Sequence, residues 1–327
     1  MTQITSTSAA AAPRPRPIAL ALVLFGCVST PPVKSLPAAS AQATTGAPRV
    51  ETCGEKLERL ALPVADGRPR TLYSRGREKR VVELQPLVRA AQGYLGAALE
   101  VEVDLTLAIL SRVDWERLGG DAPPYGVPFS DEGCVIVAAD FDESNVLAKA
   151  FAKVPPARRA KLERPDRSAD AALRRGADLI AFHEAGHVFA HAYGIPMSQS
   201  WLAEFVASYL AYDTLRAISP EDAALWQEGA EASRAEPIPT HVSLEDFNRL
   251  YFGVGPDNYG WYQGRFQERV AQVQAKSGLG FIRALKSSGA ASERDFAQQL
   301  QKLETLEPGF EAWAASLIAL RPAASPR

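Results

Sequence analysis

His183-Glu184-Ala185-Gly186-His187-Val188-Phe189-Ala190-His191 holds three of the four histidines in this 327-residue chain. Its first five residues spell H-E-x-x-H, which composition alone would produce in about one of several hundred chains this poor in histidine. On a helix the two outer histidines lie one turn apart on one face, so their ring nitrogens can converge on a single metal ion. Glu184 sits about 100° round from His183, where it can take a proton from water instead of ligating the metal. The flanking residues predict that helix. Ser168 is an N-cap candidate, Asp170 places negative charge in the first turn, and no proline occurs between Ser168 and Pro196. Leu173, Ala177, Ile180, Val188 and Ala192 recur at helical spacing, and Gly194 is a natural stop.

His191 drops out on geometry. Residues 183, 187 and 191 span about 12 Å along the axis, too far for three side chains to share bonds of about 2 Å to one ion. His191 is therefore expected to pack or to support a ligand from behind. The third ligand is better sought in Trp201-Leu202-Ala203-Glu204-Phe205-Val206-Ala207-Ser208-Tyr209, after a short loop from Gly194 to Ser200. This segment predicts a second helix running to about Ala217, and a helical hairpin can place one carboxylate beside two imidazoles. Glu204 lies among Leu202, Phe205, Val206 and Tyr209, where an unpaired charge is costly and a metal removes the cost. The competing reading is a surface glutamate on an amphipathic helix; the upstream motif tips the choice toward ligation.

These two segments resemble the gluzincin metallopeptidases. His183-Glu184-Ala185-Gly186-His187 matches the family's HExxH, and Trp201 to Tyr209 resembles its W-L-x-E-x-x-A-x-Y helix. The 16 residues between His187 and Glu204 make a loop closer to the peptidase-MA-like group of bacterial envelope proteins. Tyr259-Gly260-Trp261-Tyr262-Gln263-Gly264-Arg265-Phe266, Val270 to Val273 and Gly278 to Leu285 look like that group's tyrosine-bearing helix and the short helix after it. Phe296 to Leu300 and Phe310 to Trp313 resemble its closing helices. One departure is Ser208, four residues after Glu204, where some branches carry an aspartate that orients a ligand. The resemblance implies one Zn²⁺ held by His183, His187 and Glu204, with Glu184 as general base in peptide-bond hydrolysis. It also implies a tyrosine that stabilises the oxyanion, best matched by Tyr262 and next by Tyr259. His241, in a proline-rich loop, is a further donor candidate. Two other readings stay open: a non-catalytic envelope scaffold used for binding or assembly, and a metal hydrolase acting on something other than a peptide. An intact Glu184 favours catalysis, since a scaffold needs no base beside the metal.

The fold expected is α+β and zincin-like, a small N-terminal sheet followed by a mostly helical part. The lobes would divide a domain of residues 51–327 at about 167/168. Val81 to Leu99 reads as a helix and Val101 to Leu110 as a strand with partial alternation. Gly119 to Pro128 is a Gly/Pro-rich connection, and Cys134 to Ala139 a short apolar strand. Val135-Ile136-Val137 is the candidate for a sheet edge that would pair with an extended peptide, a buried strand being the alternative. Pro155 to Asp166 reads as a charged, solvated link.

The first fifty residues carry no acidic side chain. Arg14 and Arg16 precede an apolar run, Ile18 to Phe25, that is too short for a bilayer span but suits a signal-peptide core over residues 1–26. Leu24-Phe25-Gly26-Cys27 resembles a bacterial lipobox, which implies a lipid anchor on Cys27, a tether over residues 27–50 and an envelope location, facing the periplasm from the outer membrane. Cleavage near Ala41-Gln42-Ala43, giving a secreted protein, is the alternative. Loss of residues 1–26 moves net charge from −2 to about −4. The remaining Lys and Arg are interspersed with acids, so no nucleic-acid partner is expected. Cys53 and Cys134 remain as either a disulfide or two thiols.

Overall fold

The computed structural model describes residues 52–119, 122–234 and 238–321; the segments expected to form a signal peptide and a tether, with Cys27, lie outside the described residues. Helix α1 (Cys53–Arg59) opens with a capping box in which Thr52 and Glu55 each take the other's backbone N–H. Then come β1 (Val64–Ala65), β2 (Arg70–Tyr73), α2 (Glu78–Leu99), β3 (Thr106–Leu110), α3 (Arg112–Leu118), β4 (Phe129–Asp131) and β5 (Cys134–Ala138). The rest is helical: α4 (Val146–Ala152), α5 (Pro156–Leu162), α6 (Ala169–Ala192), α7 (Ser200–Ile218), α8 (Pro220–Arg234) and α9 (Leu244–Leu250). A 3₁₀ turn (Tyr251–Val254) leads into α10 (Pro256–Ser277), α11 (Gly280–Ser288), α12 (Phe296–Leu306) and α13 (Phe310–Ala319). The α+β expectation holds, with the sheet before residue 139 and helices dominating after it.

The five strands run in the order β1-β2-β3-β5-β4; β2, β3 and β5 are parallel, and the outer strands β1 and β4 are antiparallel to their neighbours. Strand β5 is therefore interior, and Val135-Ile136-Val137 is not the sheet edge. Its composition has a physical reason. Val135 and Val137 pack with Ala181 and Ala185 of α6 on one face, while Ile136 and Cys134 pack with Trp115 and Leu57 on the other. A strand covered on both faces reads as an unbroken apolar run, without alternation. The edge beside α6 is β4 instead.

Strand β3 is shorter than its apolar pattern suggests. Helix α2 ends on Glu100 in the left-handed conformation (φ 56°), and the Val103 carbonyl accepts from the Gln92 side chain. Strand pairing begins only at Thr106, so Val101 and Val103 pack on the core from outside the sheet. The charged link over 155–166 folds into α5, which buries Leu162, while Arg164 and Arg167 both bridge to Glu228 of α8.

Helix α6 behaves as its caps require. Ser168 accepts from Ala171 N, and Gly194 (φ 79°) ends the helix while Ile195 N donates back to the Ala190 carbonyl. Helix α7 returns antiparallel: His183 meets Ser208, Gly186 meets Ala207 and His187 meets Glu204, pairs that descend on one helix as they rise on the other. The two helices nearly touch at Gly186, where an added Cβ would stand 2.6 Å from the Ala207 carbonyl oxygen. Only glycine permits this approach, which brings Glu204 to the histidines. Around α7, Trp201, Phe205, Tyr209, Phe281, Phe310 and Phe266 form a buried aromatic core.

Candidate metal centre

His183, Glu184 and Glu204 are 1% exposed or less, and His187 alone of the four keeps some solvent contact, with 16% of its side chain exposed. His183 Nε2 lies 3.0 Å from His187 Nε2 and 3.2 Å from Glu204 Oε2, and His187 Nε2 lies 3.7 Å from Glu204 Oε1. These three ligand atoms converge within 4.8 Å of one another, so the buried group could hold a metal ion. Two imidazoles and a carboxylate, presented by facing helices, form a donor set with borderline affinity suited to a first-row divalent ion.

Charge states agree with ligation. Burial disfavours the protonated His187 ring and, against the pull of Glu204, brings its pKa down to about 4, leaving the neutral form that ligates. Burial opposes ionisation of Glu204. The hydrogen bond from His183, attraction to the His187 and His183 rings in their protonated forms and the Tyr251 hydroxyl outweigh it and hold the carboxyl down to about 2.

Each group has supports behind it. Ser208 Oγ, at the position that departs from the gluzincin pattern, stands 3.1 Å from His183 Nδ1. A hydroxyl can donate or accept, so Ser208 can hold the ring in the tautomer that presents Nε2 to a metal. Gln263 of α10 donates to Glu204 Oε2 at 2.8 Å, and Tyr251 donates to Glu204 Oε1 at 2.6 Å. Ser130 Oγ donates to Glu184 Oε2 at 2.9 Å. Thus four elements besides α6 (β4, α7, the 3₁₀ turn and α10) supply the surroundings of the motif.

Other sequence candidates lie elsewhere. Tyr262 is fully buried, donates its hydroxyl to the Ser243 carbonyl at 2.7 Å and stacks among Phe247, Trp261 and Phe266. The tyrosine at the site is Tyr251, with Tyr259 packed 6.0 Å from its ring. Tyr251 was missed because its position depends on a rare backbone state (φ 45°, ψ −111°) just after α9, for which a tyrosine carries no local signal. His191 is exposed at the end of α6, so it neither packs nor supports a ligand. His241 faces Asp246 at 3.9 Å, and its backbone exchanges hydrogen bonds with the Asn258 side chain. Cys53 and Cys134 are buried as free thiols in one core cluster, and the neighbouring Cys134 thiol together with burial pushes the Cys53 pKa up.

The chain matches no protein-family model, no curated protein and no solved structure. Any assignment therefore rests on the site's own chemistry.

Proposed function

We propose that the chain is a zinc-dependent peptidase of gluzincin type. The observation that carries this reading is the buried convergence of His183, His187 and Glu204 beside Glu184, which lies on the same helix but outside the ligand set. Zinc, when bound, would lower the pKa of a water to about 7 and polarise the scissile carbonyl. Glu184 is then the base that takes the proton of the attacking water and delivers it to the leaving amine. Ser208 and Gln263 fix a histidine ring and the ligating carboxylate, which keeps the reacting geometry from drifting. Tyr251, in place of the expected Tyr262, is the donor for the oxyanion, because its hydroxyl already reaches the metal-ligand carboxylate. The edge strand β4, against α6, is the element along which an extended peptide would lie.

The enclosure of Glu184, 0% exposed, is the one observation that favours a non-catalytic scaffold. Lipid anchoring through Cys27 and an envelope location remain proposals from the sequence; among the described residues no helix is long and apolar enough to cross a membrane. Metal analysis of the purified protein tests the site first. One zinc per chain, lost in a His183→Ala, His187→Ala double variant, is the expected result; full metal retention in that variant would remove the basis of the proposal.

A further inference from the structure

Ser130 is the residue whose contact neither the motif nor the metal requires. It comes from β4, 54 residues before Glu184, and its hydroxyl donates to the Glu184 carboxylate at 2.9 Å in a buried setting. Its direction is set by the hairpin. Glu132 (φ 40°) and Gly133 (φ 89°) make a two-residue turn with both central residues in the left-handed region, and Ser130 pairs with Val135. The residues on either side are secured separately. Phe129 meets Trp115 edge to face at 5.4 Å on the opposite face of the sheet, and Asp131 lies 3.8 Å from Lys56 of α1. A slip of one residue would turn Ser130 away from α6 and bring an aromatic or a second carboxylate toward Glu184.

A serine on the helix-facing side of a strand gives up apolar contact, and a buried carboxylate needs donors; each group answers the other's cost. We propose that Ser130 is a positioning residue for the general base, holding the Glu184 carboxylate in the orientation from which it takes the proton of water. The role rests on the peptidase reading and adds to it a link between substrate and base. An extended peptide that pairs with β4 lies on the same strand that carries the hydroxyl. Seating of the peptide backbone and orientation of Glu184 are thereby mechanically coupled.

The test compares zinc-loaded wild type, Ser130→Ala, Ser130→Thr and Glu184→Gln on a quenched fluorescent peptide library and on one peptide that the wild type cleaves. Loss of one hydrogen bond to a charged group should lower kcat roughly tenfold to hundredfold in Ser130→Ala, with KM within about twofold and zinc content unchanged. Ser130→Thr, which keeps the hydroxyl, should restore most of the rate. A readout independent of turnover uses the metal-free protein. The Ser130→Ala loss in Tm, roughly 2–4 °C, should vanish in a Glu184→Ala background. Wild-type kcat in Ser130→Ala beside an inactive Glu184→Gln would overturn the role of Ser130 and leave the peptidase reading standing. So would an equal Tm loss in both backgrounds, or a defect accompanied by zinc loss that threonine fails to repair. Absence of turnover in the wild type would instead sink the peptidase reading, and the proposal with it.

Discussion

Replacing Gly186 by alanine tests whether the α6–α7 approach builds the site. The new Cβ would stand 2.6 Å from the Ala207 carbonyl oxygen and 3.0 Å from its Cα, both backbone atoms that no rotamer change can move. Restoring ordinary contact at 3.4 Å requires the helices to part by about 0.8 Å. Overpacking of this kind costs about 1–3 kcal/mol, and the backbone partner places it at the upper end. Alanine recovers about 1 kcal/mol of helix propensity relative to glycine. The net loss is thus about 2 kcal/mol, a fall in Tm of roughly 4–8 °C for a domain of this size. The effect on metal should be larger than the effect on stability. Glu204 lies three residues before Ala207, one turn along α7, and metal–ligand distances tolerate only about 0.2 Å. Zinc affinity should fall at least tenfold while the helical circular dichroism signal is retained. Calorimetry of zinc binding and thermal unfolding give both numbers. A Gly186→Ala protein with unchanged zinc affinity and an equal or higher Tm would refute the reasoning.

Other perturbations separate the roles within the site. Glu204→Ala should lower zinc affinity by more than about a hundredfold, beyond the tenfold to hundredfold typical of groups that only support a ligand; competition with a chromogenic chelator measures it. Tyr251→Phe keeps the ring but not the hydroxyl, and should lower kcat roughly a hundredfold to a thousandfold with zinc still bound, whereas Tyr262→Phe should leave kcat within about threefold. Steady-state kinetics on one cleaved peptide distinguish the two. Chelation should leave the protein folded, because the two imidazoles and Glu204 already satisfy one another at 3.0 and 3.2 Å. It should still lower Tm by about 10 °C, reversibly on adding zinc, from the loss of roughly 4 kcal/mol of binding linkage at a thousandfold excess over Kd. Differential scanning fluorimetry reads that shift directly.

How far the site was legible depended on how local each signal is. The motif, its helix and the cap at Ser168 are written in consecutive residues, and α6 runs where they place it. Glu204 was legible because an acid amid Leu202, Phe205 and Val206 demands a partner, and its partners are His183, Tyr251 and Gln263. Tyr262 and Gln263 are adjacent on α10 and about 100° apart, so a resemblance to a tyrosine-bearing helix could not say which one faced Glu204. Ser130 was hidden because β4 is three residues long, follows a Gly/Pro-rich stretch and alternates too briefly to show a pattern. The interior place of β5 was legible in principle, since Cys134 to Ala138 has no polar residue to turn toward solvent. What sequence could not supply was the contact of elements far apart in the chain, as in the 54 residues between Ser130 and Glu184.

Peptide hydrolysis by the zinc-loaded wild type and its Glu184→Gln variant, measured side by side with metal content, tests the central claim most directly. Both proteins should carry one zinc per chain, with turnover confined to the wild type. Equal turnover in the two, or none in a wild type holding its full zinc, would contradict it.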